Sequence, residues 1–175
     1  MYMECTLYLT ENCNLKCNYC YEGNDKRSKT LNNQDLEKVI SFLVQNNPQN
    51  ETINLTFLGG EPLLNKDAIY LCMDIINHKW SQSKELFKFH ITTNGILLDK
   101  EIIKLFKENN VDVSISIDGD KRTHNLNRRS KNGTDVYEDI IENMHLMQEM
   151  GVDFFVRMTV TENNATLLSA NLQYF

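Results

Sequence analysis

Apolar and β-branched residues gather in five short runs along the chain, at residues 5–10, 52–58, 86–92, 111–117 and 154–160, and each run predicts a strand. Between the runs the apolar positions repeat at three and four residues. They are Leu36, Val39, Ile40 and Leu43; Ala68, Ile69, Cys72, Ile75 and Ile76; Ile102, Ile103 and Phe106; and Val136, Ile140, Met144 and Met147. That period lays one apolar stripe along a helix. The strand-helix unit recurs roughly every 30 to 40 residues, within the span of a βα repeat. Regular alternation of the two predicts right-handed crossovers and a parallel sheet, an α/β fold either open and doubly wound or curled towards a barrel. Asp99 before Glu101, and Thr134 and Asp135 before Glu138, are predicted helix starts, because a side-chain oxygen there accepts from free backbone amides. A fifth helix is expected over residues 163–175, with Leu167, Leu168 and Leu172 as its apolar positions.

Composition narrows the class. The 175 residues, 41% hydrophobic and 24% charged, suit one globular domain. Eighteen Lys and Arg against 24 Asp and Glu give a net charge of -6, which argues against a broad basic surface for nucleic acid. No apolar run approaches the length of a membrane helix. Residues 1–10 also lack the basic segment and apolar core of a signal peptide, so no membrane partner is expected and the cytoplasm is the expected compartment. In that compartment an odd number of cysteines, five, points away from a disulfide framework and towards metal or catalytic use.

Cys13, Cys17 and Cys20 follow the first predicted strand with three and then two residues between them. Thiolates suit soft metals, and an irregular loop can wrap three sulfurs round one face of an iron-sulfur cube, leaving the fourth iron open to a small molecule. A zinc half-site or three coincidental thiols are the alternatives. Gly59-Gly60-Glu61-Pro62 ends the second run: paired glycines let backbone approach a ligand, and exposed carbonyls with Glu61 can accept from an ammonium group, although a tight turn reads equally well. In Thr92-Thr93-Asn94-Gly95 the Asn-Gly pair would suggest a hairpin, but a helical pattern follows instead of a returning strand. Ser116-Ile117-Asp118-Gly119, with the polar stretch holding His124, Asn127, Arg128 and Arg129, reads by itself as a solvated turn with surface charge. Collectively these segments mean more, since in a parallel βα array the loops after every strand converge on one side. Arg157, in the fifth run, is expected to face the same space.

The segment Cys13-Asn14-Leu15-Lys16-Cys17-Asn18-Tyr19-Cys20-Tyr21, with Gly59-Gly60-Glu61-Pro62 downstream, closely resembles the radical SAM superfamily. With Thr93-Asn94-Gly95, Ser116-Ile117-Asp118-Gly119 and His124-Asn125-Leu126-Asn127-Arg128 it looks most like the subgroup of anaerobic sulfatase-maturating enzymes and SPASM-type peptide maturases. The resemblance runs from Leu7 to about Asn164. It implies an incomplete (β/α) partial TIM barrel with about five parallel strands. A 4Fe-4S cluster would be held by Cys13, Cys17 and Cys20, and its open iron would chelate S-adenosylmethionine. The reaction would be reductive cleavage to methionine and a 5'-deoxyadenosyl radical that abstracts hydrogen from a peptide or protein. By the same resemblance Tyr19 would pack near the adenine, Gly59, Gly60 and Glu61 would hold the methionine amino group, and Ser116 and Arg128 would contact ribose or carboxylate. Asn94 joins the cofactor-binding set. An electron donor such as a flavodoxin would be needed.

Residues 1–175 are accordingly expected to form a radical SAM core of five βα units, with the sixth unit and the cysteine-rich auxiliary-cluster extension absent. The fifth strand would then keep an unpaired edge for a complementing chain to cover. A noncatalytic fragment or partner subunit that binds cluster and S-adenosylmethionine is the second expectation, and a zinc-binding structural domain the third. Cys72 and Cys5 read as small buried hydrophobes, His78, His90 and His145 as surface or satisfied core residues, and Met144, Met147 and Met150 as helix core.

Overall fold

A computed structural model describes residues 2–22 and 29–173. Five parallel strands, β1 (Tyr2–Tyr8), β3 (Thr52–Leu58), β4 (Phe87–Thr93), β5 (Val111–Ser116) and β7 (Phe154–Arg157), form one sheet in the order β1-β3-β4-β5-β7. Two short strands, β2 (Leu15–Cys17) and β6 (Arg128–Ser130), make a separate antiparallel ladder. The helices are α1 (Asn33–Gln45), α2 (Lys66–Asp74), α3 (Lys100–Glu108), α4 (Lys121–Asn127), α5 (Tyr137–Glu149) and α6 (Leu168–Gln173). No helix among the described residues is long and apolar enough to cross a membrane.

Strand alternation decides between the two α/β architectures. In β3, Ile53, Leu55 and Phe57 are fully buried while Asn54 and Thr56 between them are not; in β4, Phe87, Phe89 and Ile91 are buried and Lys88 is exposed. The apolar face of the sheet and the apolar stripes of the helices join one core. The other face carries Glu4, Thr6, Asn54, Thr56, Lys88, His90 and Asp112, so helices cover one side only, as in a barrel wall and not in a doubly wound sheet. Phe57, Phe89 and Phe87 stack across β3 and β4, with centroids 6.2 and 6.0 Å apart.

Several boundaries move for local reasons. Asp99 caps α3 as expected, accepting from the Ile102 amide at 2.9 Å. Thr134 and Asp135 do not cap α5, which starts at Tyr137. The Thr134 amide donates instead to the Ser130 hydroxyl, tying it to β6. The expected strand over 154–160 ends at Arg157, because the Thr159 amide turns to donate to Asp118 Oδ1. The expected helix over 163–175 is a 3-10 turn, Ala165–Leu167, followed by α6; its last two residues lie outside the described residues. There Leu167 and Leu172 are exposed and Asn171 is the buried member, set against Gly119.

Candidate functional site

The loops after β1, β3, β4 and β5 meet at the carboxyl end of the sheet around a cleft of about 370 Å3. Cys13, Cys17, Tyr19, Cys20, Gly59, Gly60, Glu61, Asn94, Ser116 and Arg128, every residue expected at a site from sequence, line this one cleft. Arg157 lines it too. Thr92 and Thr93, from the Thr-Thr-Asn-Gly segment, also contribute to the wall, as does Thr159, which no sequence signal distinguished.

The paired glycines fit the cysteine loop against the sheet. A Cβ on Gly59 would lie 2.4 Å from the Thr10 carbonyl oxygen, and one on Gly60 would lie 2.3 Å from that of Asn12. Backbone at this distance admits no side chain. The Gly60 amide donates to the Thr10 carbonyl and the Glu61 amide to the Asn12 carbonyl, both at 2.8 Å, so the end of β3 grips the segment that leads into Cys13.

Glu61, 1% exposed, carries the next link. Its Oε1 accepts from the Thr93 hydroxyl at 2.7 Å and the Leu63 amide at 3.1 Å, and its Oε2 accepts from the Asn94 amide at 2.7 Å. These bonds latch the β3 loop to the β4 loop. Asn94 then passes the connection back, donating from Nδ2 to Asn14 Oδ1 at 2.7 Å and accepting from the Ile96 amide at 3.1 Å. Both side chains are committed within the protein, leaving backbone groups of this corner to face the cleft.

The opposite wall is built on Asp118, which is fully buried. Tyr19 donates its hydroxyl to Asp118 Oδ2, and Arg128 Nε lies 3.2 Å from the same oxygen. The Arg128 guanidinium stands 5.3 Å from the Tyr19 ring centroid, a cation-π distance. Burial pushes the Tyr19 phenol well above its usual range, against the opposing pull of Arg128. Burial works against the Arg128 cation, but Asp118 and then Tyr19 and Cys17 outweigh it and hold Arg128 charged. His124, fully buried beneath, accepts from the Asp118 amide on Nδ1 at 3.4 Å and sets its ring edge against Tyr137. Burial, followed by the neighbouring Arg128 cation, lowers its pKa to about 4, so the imidazole is neutral. The reading of residues 118–129 as a solvated charged turn is thereby corrected: Asp118, His124, Asn127 and Arg128 are all buried.

Cys13 is buried and Cys17 and Cys20 are half-buried, and none of the three is joined in a disulfide. Among the described residues no three His, Cys, Asp or Glu side chains gather closely enough for a single ion. The donor chemistry, three thiols from one loop lining the same cleft, is the kind that an iron-sulfur cube takes on three of its irons. Cys72 is fully buried among core residues and burial raises its thiol pKa, as burial does for the half-buried Cys5, so neither resembles a ligand. His78 and His145 are exposed. His90 is half-buried on the polar sheet face, 3.3 Å from the Thr92 hydroxyl.

The family model described as the radical SAM superfamily matches residues 7–165. An uncharacterized protein of Methanocaldococcus jannaschii is 32% identical over 168 residues, covering 96% of this chain and 56% of the relative. A cysteine-type anaerobic sulfatase-maturating enzyme of Clostridium perfringens is 29% identical over 169 residues, covering 93% of this chain and 45% of the enzyme. The solved structure of native anSMEcpe with bound AdoMet and Cp18Cys peptide superposes with a TM-score of 0.86 at 27% identity, covering 99% of this chain and 47% of that one. The chain thus spans about half the length of the relatives it matches.

Proposed function

The chain belongs to the radical SAM superfamily, and from that premise we propose that it holds a 4Fe-4S cluster on Cys13, Cys17 and Cys20 and binds S-adenosylmethionine in the adjoining cleft. When bound, the cluster supplies one electron to the sulfonium, the chemistry by which members of the superfamily release a 5'-deoxyadenosyl radical for hydrogen abstraction. The observation that carries this reading is the convergence of the cysteines, the Gly-Gly-Glu corner and Arg128 on one cleft.

In this reading the residues of the chain bind and orient. Arg128, held charged and fixed by Asp118, attracts the methionine carboxylate, and Arg157 adds a second cation at the rim. Ser116 offers a hydroxyl to the ribose. Tyr19 presents its ring to the adenine while its hydroxyl is tied down. The backbone at Gly59 and Gly60 accepts from the methionine ammonium, whereas the Glu61 and Asn94 side chains act by holding that backbone and the cysteine loop in place.

The substrate is a peptide or protein, a reading supported by the related enzyme solved with a bound peptide. The enzyme is an oxidoreductase of peptide maturation working in the cytoplasm, with a donor such as a flavodoxin and with further polypeptide covering the outer edge of β7. Phe155, on that strand, is 66% exposed, which suits such a cover. The same exposed strand favours the second reading, a module that binds cluster and S-adenosylmethionine without turning over by itself.

Anaerobic reconstitution with iron and sulfide, followed by reduction and addition of S-adenosylmethionine, tests both. Cluster absorption with 5'-deoxyadenosine formation supports the first reading. Cluster absorption alone supports the second, and the absence of a cluster overturns both.

A further inference from the structure

The ladder between β2 and β6 pairs Leu15 with Ser130, Lys16 with Arg129, and Cys17 with Arg128. Lys16 and Arg129 are therefore cations directly opposite each other, an arrangement that destabilises an antiparallel pair. Lys131 follows immediately, and all three side chains are exposed. Lys16, Arg129 and Lys131 have no carboxylate partner among the described residues, as is also true of Lys88, Lys100, Lys107, Arg122 and Arg157, but only these three share one pocket. The Arg129 Nε donates to the Asn125 carbonyl at 2.7 Å, which fixes the guanidinium without neutralising it. On a chain of net charge -6 this is a local reversal of sign held in place against its own repulsion.

These cations line a second pocket of about 290 Å3 that has one lining residue in common with the cleft, Cys17. The pocket is lined by Lys16, Cys17 and Asn18 of the cysteine loop itself, whereas Ser116 and Arg157 line only the cleft. A substrate has to reach that cleft; an electron has only to reach the cluster.

We propose that Lys16, Arg129 and Lys131 form the docking face for an acidic one-electron carrier protein that reduces the cluster past Cys17. The proposal rests on the cluster assignment above. With a flavin carrier the anionic hydroquinone loses one electron to become the neutral semiquinone, the cluster falls from the 2+ to the 1+ state, and no proton or bond is exchanged. Opposite charge on the two faces accelerates their encounter and makes it sensitive to salt.

The test compares the cluster-loaded wild type with Lys16→Glu/Arg129→Glu/Lys131→Glu, using reduced flavodoxin and dithionite as alternative reductants. At low salt the flavodoxin-driven bleaching of the cluster is expected to slow at least about tenfold in the variant, with the dithionite rate unchanged, and added salt should bring the wild type towards the variant. Carbodiimide cross-linking gives a readout independent of electron transfer: Lys16 or Lys131 should be joined to flavodoxin carboxylates. A variant reduced by flavodoxin at the wild-type rate, or cross-links confined to other lysines, overturns the proposal. Slowing by both reductants overturns it as well, because the charges would then be shaping the cluster loop. Should the triple variant not fold, Lys16→Gln/Arg129→Gln is read the same way, with an intermediate rate expected. A wild-type chain that takes up no cluster is recognised before any carrier is added, and defeats the cluster assignment together with this proposal.

Discussion

Tyr19 donates its phenolic hydroxyl to Oδ2 of Asp118, joining the cysteine loop to the end of β5 across 99 positions of sequence. Arg128 reaches the same oxygen at 3.2 Å, and the Thr159 amide donates to the other at 3.1 Å. One buried carboxylate thus holds together the cysteine loop, the start of β6 and the exit of β7. Asp118→Ala leaves a buried guanidinium without its counter-ion and is expected to cost about 3–5 kcal/mol in urea unfolding. Asp118→Asn keeps an acceptor for Tyr19 or Thr159 but not the charge, and should fall between the wild type and Asp118→Ala. Equal stability of all three proteins would sink the assignment of Asp118 as the tie.

Gly60→Ala tests the contact between β3 and the cysteine loop. The new methyl would sit 2.3 Å from the Asn12 carbonyl oxygen and 2.7 Å from that of Glu11, both backbone atoms that cannot rotate aside. The loop has to move, with an expected cost of about 1–3 kcal/mol. Iron and sulfide incorporation should fall more steeply than the unfolding midpoint, because the displaced segment leads directly into Cys13. Gly133→Ala serves as the control, since a Cβ there meets nothing within 4 Å; its positive φ of 77° costs some stability, but iron uptake should be unchanged.

Much of this architecture was legible in the sequence because it is written in apolar spacing. Ile53, Leu55 and Phe57 alternate, Ile102, Ile103 and Phe106 make a stripe, and both patterns end up in the core as expected. The Cys, Gly-Gly-Glu and Asn-Gly segments were legible by residue type, and their common placement after strands brought them to one cleft. Helix α4 was not legible, because the face it buries is made of Thr123, His124 and Asn127, a polar set that hydropathy assigns to solvent. Strands β2 and β6 were hidden by length: three residues carry no alternation, and Lys16 opposite Arg129 argues against pairing. The role of Asp118 was obscured for a related reason. An Asp-Gly pair reads as a turn, and only the tertiary fold brings Tyr19 and Arg128 to its carboxylate.

His124 makes stability depend on pH in a stated window. Its folded pKa of about 4 lies below the ordinary imidazole value of 6.5, so between these limits the unfolded chain binds a proton that the folded chain refuses. The contribution is complete above pH 6.5, is lost as pH falls, and levels off below about 4. Between pH 7.5 and 5 it amounts to about 2 kcal/mol. Urea titrations at both pH values should show that loss in the wild type in excess of His124→Phe, in which the residue no longer titrates. Parallel pH dependence in the two proteins would contradict a neutral buried His124.

Cys72 and the cysteine loop separate core packing from cluster binding. Cys72 is fully buried between α2 and the sheet, its thiol pKa is raised by burial and then by the nearby Cys5, and Ala68, Ile69, Ile75 and Ile76 around it are also buried. Such a thiol is a poor metal ligand at neutral pH, because ligation requires the thiolate. Cys72→Ala removes one buried heavy atom, with an expected cost of about 1 kcal/mol, and should bind as much iron as the wild type. Cys13→Ala, Cys17→Ala and Cys20→Ala should each lose most of the bound iron, and Cys17→Ala and Cys20→Ala, on half-buried positions, should do so with little change in the unfolding midpoint of the cluster-free chain. Iron content and cluster-free unfolding, measured on the same preparations, therefore move in opposite patterns for the two sets. Loss of iron in Cys72→Ala would make that residue part of the metal site, and retention of iron in all three loop variants would remove the loop from it.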